Sequence, residues 1–296
     1  MVDYNKLYDE RTKEILKDRE LIKEVNKRKR TNLVTPKALE IPRCFDGILN
    51  KGEIVYVHDE DHKYWTRKKR GDEEQQWFRS DLRILCITKD TNEGVDENAN
   101  PSDCGWDLWC ESGRNNNCED IKISATFYKN YMKMVASAYL CCRNATEQDV
   151  LSAMNNEETY RHIWEKIPLA RINLKKQSGG SSIKDSLLAS YVALYKDVLV
   201  QQIMSLKANV IICTSAVGMT LLKEIYHLEK VDEELLGAGR DWVYVDKEKE
   251  VIVINSYHFS WWANWAETFA KCFYRYCANS PLAACSSRKK PYLCER

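Results

Sequence analysis

Four absences narrow the choice before any motif is found. No run of eighteen apolar residues occurs in the 296-residue chain, so no segment has the length and character of a membrane-spanning helix. The N-terminus, "MVDYNKLYDERTKEI", is charged from its third residue, so no secretion signal is expected. Net charge is also nearly absent, at +1, so the chain as a whole is not an electrostatic glove for nucleic acid and any basic surface has to be local. Twelve cysteines are present, but no C-x-x-C, which removes the usual zinc-ribbon and redox signals. The expectation is a cytoplasmic protein with free thiols and no cofactor. Cys86 and Cys213 lie in apolar runs and read as small buried hydrophobes. Cys104, Cys110 and Cys118 share one loop region, and a metal or cluster site there would need a distant fourth ligand; the reading assigns no metal.

What is present is a folded, tryptophan-rich sequence with nine such residues. Residues 3–30 form a charged helical stretch whose thin apolar stripe is Leu7, Ile15, Leu16, Leu21, Ile22 and Val25. "EIVYVHDEDHKYWTR" reads as a hairpin, and "RKKRGDEEQQ" as a charged loop or linker. Beyond residue 80 apolar strands alternate with helices. The strands are Leu82–Thr88, "IPLARIN" ending at Asn173, "ANVIIC", and a hairpin-like pair delivering "VIVIN". A long polar loop, Glu93–Asp120, holds Trp106 and Trp109. This pattern predicts a three-layer α/β sandwich with a mostly parallel central sheet of about four strands and an N-terminal helix and hairpin extension. The expected boundaries are 1–80 for the extension, 81–280 for the α/β domain and 281–296 for a tail.

Ligands of such sheets bind outside the carboxyl ends of the strands. Those ends read "TKDTN" (Asp90, Asn92), "RINLKKQSGG" (Asn173, Lys175, Lys176), "ICTSA" (Thr214, Ser215) and "INSYHFSWW" (Asn255, His258). A carboxylate, an amide and an imidazole on one rim supply a water-activating acid, a hydrogen-bonding reader and an electrophile. Each also has a structural use. Asp90 can cap a turn, Asn173 can form an Asx-turn, His258 can bond a backbone carbonyl, and Lys175 and Lys176 can be solvated surface. The "QSGGSS" loop matches no P-loop pattern.

The order and context of these ends resemble the uracil-DNA glycosylase superfamily. Its first core strand ends in a Gly-Gln-Asp-Pro-Tyr-type or Gly-Ile-Asn-Pro-type loop, a middle strand in a base-reading Asn, and the last in a His-Pro-Ser-type loop. The counterparts here are "TKDTN" with Asp90, "LARINLKK" with Asn173, and "SYHFS" with His258 and Ser260, over roughly residues 80–277. Thr91 and Phe259 replace the two family prolines, and Asn92 stands where the uracil enzymes keep a tyrosine. That departure implies a roomier pocket and a damaged, mismatched or hypermodified pyrimidine.

The resemblance implies a DNA glycosylase in which Asp90 orients water and steadies the sugar cation. Asn173 would hold the base edge, and His258 would donate to the departing base. Asn92, Trp106 and Trp109 would line the base pocket. Lys89, Lys175, Lys176 and Ser260 would face DNA, and Trp261 or Trp262 would fill the gap left by the extruded base. The implied partner is DNA with a flipped base. Two other readings remain: a catalytically inactive nucleic-acid- or nucleotide-binding protein on the same fold, and a nucleoside or nucleotide N-glycosidase.

Overall fold

The computed structural model describes residues 3–30, 34–41, 46–58, 63–89, 126–177, 183–231, 243–261 and 265–279. Two sheets are present among them. One is the β2–β3 hairpin, Ile54–His58 paired antiparallel with Lys63–Arg67, as the alternating pattern predicts. The other has seven strands in the order β1-β5-β4-β6-β9-β8-β7.

Its centre is β4 (Ile84–Thr88), β5 (Leu169–Asn173), β6 (Val210–Cys213) and β9 (Val251–Asn255), paired in parallel. Every residue of β4, β5 and β6 is buried, which explains apolar runs without alternation: strands covered on both faces have no solvent side to mark. Around this centre β1 (Gly47–Ile48), β8 (Val243–Asp246) and β7 (Glu229–Lys230) all pair antiparallel. The sheet is therefore mixed and seven-stranded, not mostly parallel with about four strands.

Helices cover both faces. α5 (Thr126–Cys141), α6 (Glu147–Asn155), α7 (Glu157–Lys166) and α10 (Ala266–Asn279) pack on one side, over Ile84, Cys86, Ile212 and Ile254. α8 (Asp185–Ser205) and α9 (Ala216–Ile225) pack on the other, over Leu85, Ile87, Ile211 and Val253. These alternate residues point to opposite faces, as a two-residue period requires. Cys86 and Cys213 are completely buried free thiols, and burial pushes both up to about 12. Gly218 is where α9 comes closest to β6; a Cβ there would meet the Cys213 Sγ at 2.6 Å.

Local sequence sets the helix ends. Thr146 and Asp149 form a reciprocal capping box at α6, and the Asn156 side chain both ends that run and caps α7. The charged N-terminal stretch is two helices rather than one. Asp18 stops α1 (Tyr4–Lys17) and its carboxylate accepts from Leu21 N at the start of α2 (Arg19–Lys29). Both helices lie on α8, with Tyr8, Ile15, Ile22 and Val25 buried in the same core cluster as the sheet. The expected linker after the hairpin also contains structure. It leads into α4 (Glu73–Arg79), which buries Trp77, and the short α3 (Pro36–Leu39) lies earlier in the chain.

Candidate functional site

The carboxyl ends of the four parallel strands stay in register past their last paired residues. Leu174 N donates to Thr88 O at 2.9 Å, Lys175 N to Lys89 O at 2.9 Å, Thr214 N to Ile87 O at 3.0 Å, and Ser256 N to Cys213 O at 2.8 Å. The described strand ends thus form one rim. Strand order reverses at β4: the excursion through α5–α7 runs to β5 on one side, and the one through α8 runs to β6 on the other. A crevice opens at such a point.

On the α5 face of this rim a polar chain runs from Arg171 to Asn173. Arg171 Nε donates to Thr88 Oγ1 at 3.0 Å, and the Thr88 hydroxyl donates to Asn173 Oδ1. Arg171 and Asn173 are two apart in β5 and so share a face; "LARIN" contained that signal, and the sequence reading missed it. The Arg171 guanidinium lies 4.9 Å from the Phe127 ring and 5.8 Å from that of Tyr131, so aromatic faces offset part of its desolvation. Asn173 is completely buried, and its backbone N–H donates to Asp46 Oδ2 at 2.7 Å.

His258 sits on the same side, half-buried, its ring 5.7 Å from that of Phe127. Burial first, and then the positive charges of Lys89 and Arg171, push its pKa down to about 4. Its Nδ1 accepts from Ser260 N at 3.3 Å. An Nδ1 that accepts leaves the ring proton on Nε2, so the neutral imidazole has one donor. Phe259 is fully buried and stacks on Tyr131 at 4.7 Å, which anchors the loop through packing.

The remaining expected residues divide clearly. Lys89 stands on the rim, partly exposed, and pairs with Asp185 at the start of α8 at 3.2 Å. Lys175 and Lys176 are buried, not solvated. Lys175 Nζ donates to Gln177 O at 2.7 Å, and Lys176 Nζ contacts both Asp46 oxygens at 2.7 and 2.5 Å. Gln202 Nε2 donates to Asp46 Oδ1 at 2.9 Å, while Gln202 Oε1 accepts from Lys176 and from the Tyr8 hydroxyl, each at 3.1 Å. The end of β5 is thereby tied to α1 and α8. Thr214 and Ser215 serve locally, bonding Ile87 O and capping α9 at Gly218 N. Ser260 and Trp261 are exposed on the His258 loop. Asp90, Asn92, Trp106, Trp109 and Trp262 lie outside the described residues, as do Cys104, Cys110 and Cys118.

Among the described residues no group of three or more His, Cys, Asp or Glu is placed to hold a metal ion, and no helix is long and apolar enough to cross a membrane. No protein-family model, curated protein or solved structure matches the chain.

Proposed function

We propose that the rim is the active site of a DNA glycosylase-like hydrolase acting on a damaged, mismatched or hypermodified pyrimidine. The observation that carries this reading is the placement of His258: just past β9, beside the Phe127 ring that Arg171 also touches, with its Nδ1 accepting from Ser260 N–H. Breaking an N-glycosidic bond builds negative charge on the departing base and positive charge on the sugar. A neutral imidazole in a desolvated site donates to the base oxygen as that charge grows, without first attracting an anion to the ground state.

Asp90, which follows Lys89 at the end of β4, orients the attacking water and balances the sugar cation. Lys89 and Arg171 add positive potential around His258. Asn173 is completely buried with its Oδ1 accepting from Thr88, so its part is to position the Arg171–Thr88 chain rather than to touch the base. The base leaves the stack to reach this rim, at about a few kcal/mol.

The test is a panel of oligonucleotides carrying modified or mismatched pyrimidines, scored for abasic sites after alkali. Wild type generates them on at least one member; Asp90→Ala abolishes the product and retains binding. A second reading, a catalytically inactive nucleic-acid- or nucleotide-binding protein, is favoured by the complete burial of Asn173, and a panel without product selects it. Product from free nucleosides alone selects an N-glycosidase of small substrates.

A further inference from the structure

Trp261 is 48% exposed yet held in place, and only Phe78 and Met204 are other large apolar side chains of comparable exposure among the described residues. Its backbone N–H donates to His258 O at 2.9 Å, and its carbonyl accepts from Asn130 Nδ2 at 3.1 Å. The same Asn130 amide donates to Phe259 O at 2.7 Å, so one α5 side chain clamps both sides of the turn. The indole lies on the Tyr257 ring, with centroids 5.5 Å apart and planes 15° from parallel, and Tyr257 in turn rests against the edge of Trp265 at 5.8 Å. The conformational cost of ordering an exposed aromatic is already met by the fold, as in a ligand platform.

From this arrangement we propose that Tyr257 and Trp261 form a stacking ledge for an unpaired base of single-stranded nucleic acid, adjacent to His258. The inference rests on the nucleic-acid part of the reading above and selects, among its substrates, a damaged or hypermodified base in a single strand over a mismatched one, which only a duplex contains. The Tyr257 ring stacks, offset, on one face of the indole. A wedge between stacked base pairs needs both faces. A base inside a duplex has no free face to offer, whereas an unpaired base does, and every base has a flat face for such a ledge.

The experiment uses the full chain and a short single strand containing 2-aminopurine, whose fluorescence falls on stacking, against the same strand in a duplex and the free 2-aminopurine nucleoside. The single strand is expected to be quenched and bound about tenfold or more tightly than either comparator. Trp261→Ala weakens that binding about tenfold, and Trp261→Phe retains most of it. Equal or tighter binding of the duplex, equal binding of the nucleoside, or an unchanged Trp261→Ala variant overturns the proposal. The wild-type preference tests the strand state without any variant, and the Trp261 variants test the place. Abasic-site formation scored in the same samples separates the two ideas: Trp261-dependent single-strand binding without product leaves the ledge standing and removes the hydrolase, and product with an unaffected Trp261→Ala does the reverse.

Discussion

The Ser260 backbone amide donates to His258 Nδ1 at 3.3 Å, and that contact decides which ring nitrogen carries the proton. Burial, and then the positive charges of Lys89 and Arg171, keep this histidine a neutral donor well below the ordinary range. With a native value of about 4 against 6.5 for an unperturbed group, the unfolded chain binds more protons between those values. The His258 contribution to stability is therefore intact above about pH 6.5 and lost as pH falls toward 4. Denaturant midpoints of wild type and His258→Asn, measured across that window, should converge as pH falls. A parallel offset would show that His258 does not titrate there.

Asp46 and Lys176 are a buried ion pair that also fixes the end of β5 through Asn173 N. Removing one partner leaves a buried charge, so Asp46→Ala should lose about 3–5 kcal/mol in urea unfolding. Asp46→Leu combined with Lys176→Met should recover most of this. It should stop short of wild type by about 1–3 kcal/mol, because the Asn173 amide then has no acceptor.

Glu73 has an acid-sensitive role at the base of the hairpin. Burial raises its pKa, but backbone amides of Arg70, Lys51 and Gly71 outweigh burial and hold it at about 2, down from 4.5. A depressed carboxylate stabilises above its unfolded value, so this contribution is present above about pH 4.5 and lost as pH falls toward 2. Glu73→Gln should be less stable at neutral pH, with a flatter acid limb in the same unfolding titration.

Gly218→Ala places a methyl where Cys213 Sγ lies 2.6 Å away and Leu174 Cδ1 lies 3.2 Å away. Overpacking of this kind costs about 1–3 kcal/mol, enough to exceed the helix-propensity gain of about 1 kcal/mol from replacing glycine. A lowered urea midpoint with unchanged far-UV circular dichroism is the expected result.

The parallel centre of the sheet was legible because β4, β6 and β9 are continuous apolar runs, and β5 one broken only by Arg171, that stop at polar residues, Asn173 and Asn255 among them. The antiparallel edges were not: β1 and β7 are two residues long, too short for any period to register. The break between α1 and α2 depends on a single carboxylate, Asp18, within a stretch dense in charge. In the site, His258 was legible as a polar residue just past a strand. Asp46 was not, because its role is set by contacts with Asn173, Lys176 and Gln202, all more than 120 positions away. The burial of Lys175 and Lys176 follows from the same cause: a lysine pair after a strand reads as surface until a distant carboxylate, ring or carbonyl is brought to it.

The central claim is hydrolysis of an N-glycosidic bond at the rim bearing His258. It is tested most directly by mass spectrometry of wild-type protein incubated with modified-pyrimidine oligonucleotides, reading the strand and the released base together. The expected result is a free base and an abasic strand in equal amounts, reduced at least about a hundredfold by His258→Ala, as for loss of one transition-state donor. Intact strands across the whole panel, or product undiminished in His258→Ala, would contradict it.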